Sequence, residues 1–183
     1  MSTNDPNNGR ATAISKVMSL QDSEFQFAVY SFDQKCQMVL PMTAAKNALE
    51  YQIPSDYGGG TDIIYALSVV IDDISSGKLQ GGDSPRIILL SDGESSKDGL
   101  PKLLKQANAI GINICTVYFG NADEEMMQAI AEGTNGICVS ARNIDSLEES
   151  FNNSKNLHEI KLNLKGKTKI NELILNELNF ANL

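Results

Sequence analysis

The sequence predicts an α/β fold: a doubly wound, mostly parallel sheet with helices on both faces and one antiparallel edge strand. Three observations carry this expectation. First, RIILLSD (86–92) and INICTVYF (112–119) are nearly unbroken apolar runs, the pattern of strands buried on both faces of a parallel sheet. Second, Leu100, Leu103, Leu104, Ala107 and Ile110 recur between them at helical spacing, and Gly111 stands where a C-terminal glycine stop belongs, which completes a βαβ crossover. Third, FQFAVYSF (25–32) and CQMVLPM (36–42) are rich in aromatic and branched residues and are joined by a tight DQK connection. That is a hairpin pattern, and it places the second strand at a sheet edge, where Pro41 is tolerable.

The remaining elements follow in chain order. Ala11, Ile14, Val17 and Met18 predict an amphipathic opening helix over 9–20. A short helix around Thr43 to Tyr51 leads into the loop IPSDYGGGTD. The next helix carries Ile63, Ala66, Leu67, Val70, Ile71 and Ile74 on one face, with Thr61 expected at its N-cap. After the second apolar run come a helix from Asp123 to Glu132, with Met126 and Ile130 on a shared core-facing side, and a short strand near Ile137 to Ser140. A helix with Ile144, Leu147 and Phe151 inward closes this third cycle, and repeated βα units of this length argue for double winding. Beyond residue 155 the composition turns to Asn, Lys, Leu and Glu. There EIKLNL alternates like a half-exposed strand and INELILNELNF reads as a short helix. The expected organisation is one domain over 1–155 and a tail over 156–183 that packs on it or begins another module.

Bulk properties bound the function. A chain of 183 residues with 42% hydrophobic content fills one core. A net charge of −8 disfavours a nucleic-acid surface, since phosphate binding needs clustered cations, and Lys161, Lys165, Lys167 and Lys169 read as a solvated tail. Cys36, Cys115 and Cys138 form no CxxC pair, and His158 lies far from all three, so a zinc site is not expected. Odd, apolar-embedded thiols suit a reducing compartment, and with no apolar stretch of membrane-spanning length and no signal peptide in MSTNDPNNGR the expected location is cytoplasmic.

In open parallel sheets ligands bind beyond the carboxyl ends of the strands, which draws attention to two residues. Asp92 follows RIILLS and opens the turn SDGES; Thr61 follows three glycines that let backbone approach a ligand. A carboxylate and a hydroxyl at one edge suit a hard cation that keeps several waters and accepts a further carboxylate from a partner. Tyr57, Gly59, Gly60 and Glu94 flank them as candidates for partner contact. The plainer alternatives are that Thr61 only caps a helix and Asp92 only makes an Asx-turn with Gly93 and Glu94.

FAVYSFD, GGGTDIIYAL, RIILLSDGE, INICTVYFGN and EEMMQAIAEGTNG, in this order and spacing, resemble a von Willebrand factor A domain across roughly residues 1 to 151. The resemblance implies a doubly wound sheet with a metal-ion-dependent adhesion site at its upper edge. Such a site uses Asp-x-Ser-x-Ser after the first strand, a Thr in a Gly-rich loop and an Asp after the central strand. Thr61 matches the second element and Asp92 the third, while the first is absent. Met1 followed by STNDPNNGR looks like the continuation of that motif, so the chain is expected to be a fragment that begins immediately after it. The family's first strand is central, between 25–32 and 86–91. Ile160, Leu162 and Leu164 offer a single apolar face, so the tail is expected to be a poor replacement. What the resemblance implies is a protein-interaction domain of the adhesion type with a partial metal site. That site would hold Mg²⁺ or another divalent cation weakly or not at all and would take a protein ligand, with a carboxylate as one mode of attachment. A metal-free scaffold is the alternative. A Mg-dependent phosphotransfer enzyme built on Asp92 fits less well, because SDGE lacks the paired carboxylate of haloacid-dehalogenase-type phosphatases and GGGTD is neither a P-loop nor GxGxxG. No catalytic residues are assigned, and the protein is not expected to be an enzyme.

Overall fold

The computed structural model describes residues 19, 26–48, 60–79, 84–91, 94–118, 123–140 and 170–177. Six strands form one sheet in the order β2-β1-β6-β3-β4-β5. They are β1 (Gln26–Phe32), β2 (Cys36–Ala44), β3 (Ser84–Ser91), β4 (Asn113–Tyr118), β5 (Cys138–Ser140) and β6 (Ile170–Glu177). β2 runs antiparallel to β1 at one edge, as the hairpin pattern predicts, and every other neighbouring pair is parallel. The helices are α1 (Ala45–Ala48), α2 (Ile63–Ser75), α3 (Leu100–Ala109) and α4 (Glu124–Gly133).

Alternation within the strands sorts the core into two faces. Ala28, Tyr30 and Phe32 of β1, Ile87 and Leu89 of β3 and Ile114 of β4 share one cluster with Ile63, Ala66, Leu67, Val70 and Ile71 of α2, Leu103 and Ala107 of α3, and Met126, Met127 and Ile130 of α4. Each fully buried Leu or Ile there contributes about 1.5–3 kcal/mol relative to exposure. The opposite face carries Phe27, Val29, Ile88, Leu90, Cys115 and Val117, also buried. Of the helix expected over 9–20 only Ser19 is described, helical and exposed, and the helix expected over 144–151 lies outside the described residues. Met126 and Met127 are both wholly buried, in keeping with core packing.

Local chemistry sets the helix ends. Gly111 has φ +71°, the left-handed backbone that a glycine stop provides after α3. The α2 cap differs from expectation: Asp62, not Thr61, is the N-cap, its carboxylate accepting the Tyr65 N–H at 2.8 Å. An ionised oxygen is the stronger acceptor for an orphan helix N–H, and it sits on the residue directly before α2. At the other end of α2, Asp73 accepts the Tyr30 hydroxyl and the Lys78 ammonium, each at 2.7 Å. Burial, with Asp73 beside it, pushes the Tyr30 hydroxyl far above its ordinary pKa, so it stays a donor and pins β1 to α2.

The largest departure from the sequence reading is β6. INELILNELNF is expected to be helical, yet Ile170–Glu177 is a strand lying between β1 and β3, parallel to both. Its apolar residues Ile170, Leu173, Ile174 and Leu178 recur at helical spacing, which is the basis of that expectation. The consecutive Leu173, Ile174 and Leu175 are equally a buried-strand signal, and pairing with two open parallel edges overrides local preference. The expectation that the tail would be a poor replacement for a central strand is corrected in the same way. Its argument rested on 160–164, which lie outside the described residues, whereas 170–177 occupies the place.

Candidate functional site

All five parallel strands point their carboxyl ends to one edge, and three segments meet there. β1 runs into the turn Asp33–Lys35, where the Asp33 carboxylate accepts the Lys35 N–H at 2.6 Å. The Asp33 carbonyl accepts the Asp62 N–H at 2.9 Å, which fastens the loop before α2 onto this turn. Gly60 stands at φ +95°, and a Cβ there would meet the Gln34 side chain, its Nε2 at 2.7 Å. The positive φ favours glycine at this position, whereas the flexible Gln34 side chain could swing aside from a Cβ. One residue into α2, the Ile63 N–H donates to Ser95 Oγ at 3.1 Å and brings in the loop that follows β3. The site is a three-loop seam held by backbone donors.

The third loop is anchored at its far end as well. The Ser96 hydroxyl accepts the Asp98 N–H at 3.1 Å, and Lys97 Nζ bridges Asp123 Oδ2 at 3.3 Å and Glu125 Oε2 at 3.1 Å at the start of α4. Asp123 also caps α4, accepting the Met126 N–H at 3.0 Å. That hydrogen bond, with Lys97 assisting against a partial burial penalty, holds the Asp123 carboxyl below its ordinary pKa. Lys97 is shifted upward, first by Glu125 and then by Asp123.

Of the residues singled out from the sequence, Thr61 is half-buried in the loop before α2, Gly60 adjoins it, and Glu94 is exposed in the loop after β3. The Ser95 contact sets the Thr61 and Glu94 loops side by side. Asp92, Gly59 and Tyr57 lie outside the described residues; Ser91, immediately before Asp92, is fully buried at the end of β3. Sequence reasoning missed Asp33, Gln34, Asp62 and Ser95. The first two directly follow an apolar strand and so share the position that singled out Asp92; Asp62 and Ser95 act through hydrogen bonds that spacing does not reveal.

A divalent cation needs several oxygen donors converging on one point. Among the described residues no group of three or more His, Cys, Asp or Glu side chains is placed to hold a metal. The Asp33 and Asp62 carboxylates are engaged with the backbone N–H groups of Lys35 and Tyr65. These donors do not make a closed cation site, and Thr61 adds one hydroxyl.

A cavity of about 350 Å³ lies away from the seam, lined by Tyr118, Glu124, Gln128, Glu132, Gly136, Ile137 and Cys138 between α4 and the β5 edge. Burial, helped by Glu124, raises the Tyr118 hydroxyl pKa, and burial raises that of the Cys138 thiol. Neither group is poised as a nucleophile.

The sequence matches the family profile described as von Willebrand factor type A domain over residues 5–153. No curated protein matches. Among solved structures, an aerotolerance-related membrane protein from Bacteroides fragilis is similar at 23% identity and TM-score 0.67, covering 81% of this chain and 87% of that one. BatB from Bacteroides thetaiotaomicron is similar at 22% identity and TM-score 0.67, with 87% and 91% covered. A von Willebrand factor type A protein from Catenulispora acidiphila is similar at 18% identity and TM-score 0.61, with 81% of this chain and 38% of that chain covered. At these identities the likeness concerns the fold. Among the described residues no helix is long and apolar enough to cross a membrane.

Proposed function

The chain belongs to the von Willebrand factor type A domain family, and from that premise we propose that it is a protein-binding module that takes its partner at the three-loop seam, with Thr61 and Asp92 as two donors of an incomplete cation site. Members of the family generally mediate protein–protein interaction. The observation that carries the location is the pair of hydrogen bonds from Asp62 and Ile63, which join the loops after β1 and β3 into one surface. A partner meets a preformed surface there and loses little free energy ordering it. Tyr65, 45% exposed in the first turn of α2, supplies an aromatic anchor beside the seam. Asp62, Glu94 and Asp98 are exposed around it, so a basic side chain fits directly and a carboxylate fits only with a cation between.

Two titrations test this reading. A short oligo-lysine peptide added to ¹⁵N-labelled protein is expected to shift Gly60–Tyr65 and Glu94–Asp98; shifts confined to other surfaces, or none, contradict the location. Calorimetric titration with Mg²⁺ and Mn²⁺ is expected to give no saturable heat below about 1 mM cation, because two protein donors leave a hard cation mostly to water. Tighter binding that Asp92→Ala abolishes would overturn the incomplete site in favour of cation-dependent capture.

A further inference from the structure

The cavity between α4 and the β5 edge has no part in the seam, and its charge is all of one sign. Glu124, Gln128 and Glu132 recur every four residues of α4 and line it as one row, with the two carboxylate-bearing positions about 12 Å apart along the helix axis. Tyr118 at the end of β4, with Ile137 and Cys138 where β5 begins, makes the facing wall. Glu124 stands beside the Tyr118 hydroxyl, and both glutamates act on the Cys138 thiol, so the two carboxylates face one space. The phenol and the thiol are shifted upward chiefly by burial and stay neutral near pH 7. Gln128 Nε2 donates to Glu132 Oε1 at 2.7 Å, which leaves the Gln128 carbonyl oxygen as a further acceptor in the row.

Among the described residues no Lys or Arg forms an ion pair with Glu124 or Glu132; Lys97, which reaches α4, is engaged by Asp123 and Glu125. Glu132 also stands against the helix dipole, an observation independent of the cavity's shape. It lies one residue before the end of α4, where the last carbonyls carry partial negative charge, and the last turn holds no basic residue. A carboxylate there is unfavourable until a cation joins it. The cavity thus calls for positive charge at two places, with a neutral, partly apolar wall between them.

We propose that this cavity binds a linear polyamine. One terminal ammonium group sits at Glu132 and the other at Glu124, and the Gln128 carbonyl accepts an N–H from an inner amine. The methylene segments lie along Ile137 and the Tyr118 ring, as the stem of a lysine lies along apolar surface. A single metal ion is too compact to answer both carboxylates, and among the described residues no group of three ligating side chains converges here. A monoamine answers one end only. At about 350 Å³ the cavity is at the small end of ligand sites, with room for a metabolite-sized chain and not for a folded partner. The inference stands whatever the seam binds.

Titration of the ¹⁵N-labelled whole chain with spermidine at constant ionic strength tests the proposal. Saturable shifts are expected at Tyr118, Glu124–Glu132 and Gly136–Cys138, with half-saturation on the order of 1 mM because exposed ion pairs are individually weak. Butylamine at the same ammonium concentration should give no saturable shift there. Glu124→Gln and Glu132→Gln, conservative changes at exposed helical positions, should each weaken spermidine binding about threefold and together about tenfold. Asp72→Asn, the same loss of charge on the exposed side of α2, should leave it unchanged. Butylamine matching spermidine, a double variant that binds like the parent, or an equal effect of Asp72→Asn would show general attraction to an acidic protein and overturn the site. Trilysine shifting these residues as strongly as spermidine would overturn the choice of ligand. Shifts at Gly60–Tyr65 report on the seam alone and are judged separately.

Discussion

Thr134 gives the account a quantitative test away from the seam. It lies directly after α4, wholly buried, and its hydroxyl accepts the Ile114 N–H at 3.0 Å while donating to the Ile130 carbonyl at 2.9 Å. One side chain thus closes the end of α4 onto the start of β4. Replacing it with Val keeps the volume and removes both bonds. The Ala131 carbonyl still accepts the Thr134 and Gly136 N–H groups, so the helix end keeps its backbone bonds. The Ile114 N–H is left buried without its acceptor, which costs about 1–3 kcal/mol. Taking about 2 kcal/mol, the melting temperature falls by roughly 4–8 °C for a chain of this length. Urea unfolding should show a lower midpoint at unchanged slope, the mark of a stability change without a change in exposed surface. Thr134→Ser, which keeps the hydroxyl and loses one methyl, should fall between parent and Val. A Val variant within about 0.5 kcal/mol of the parent, or a Ser variant less stable than Val, would refute the hydrogen-bond argument.

Three further outcomes follow from local chemistry. A Cβ on Gly136 would overlap the carbonyl oxygen of Ile114, a backbone atom that cannot swing aside, so Gly136→Ala should cost more than about 3 kcal/mol by thermal unfolding; a smaller loss would mean the β4–β5 approach relaxes freely. Asp123→Ala removes the α4 cap and should cost about 1 kcal/mol near neutral pH. Because the Asp123 carboxyl is held below its ordinary value in the fold, its contribution is present above the usual carboxylate range and is lost as pH falls through the folded value. Parent and variant stabilities should therefore converge in strong acid, and a gap that persists there would exclude this origin. Burial first, and then the Asp73 charge, pushes the Cys36 thiol up to about 12. Site-resolved alkylation of native protein at pH 8 should run about a thousandfold slower at Cys36 than in the unfolded chain; comparable rates would contradict the burial.

Much of the fold was legible because its signals are short-range. RIILLS and NICTVY are apolar on both faces and became β3 and β4, the DQK turn made the antiparallel edge, and Gly111 stopped α3 in a conformation that favours glycine. β6 was not legible in the same way. Its apolar residues satisfy helical and strand periods alike, and the deciding facts are the open edges of β1 and β3, more than seventy residues away in sequence. From the segment alone, Glu172 and Asn176 argue against a central strand. At the candidate site, Thr61 and Glu94 draw attention by their place after glycines and after a strand. The cap at Asp62 was misassigned by one residue, because both Thr61 and Asp62 are good cap formers and only the backbone path separates them.

The central claim is that 170–177 completes the sheet between β1 and β3, the sheet whose carboxyl edge carries the loops of the seam. Cross-strand nuclear Overhauser effects in ¹⁵N,¹³C-labelled protein test it most directly. The account predicts backbone contacts from Leu173–Leu175 to both Ala28–Tyr30 and Ile87–Leu89, in parallel register with each. Direct β1–β3 contacts, or random-coil shifts throughout 170–177, would contradict it.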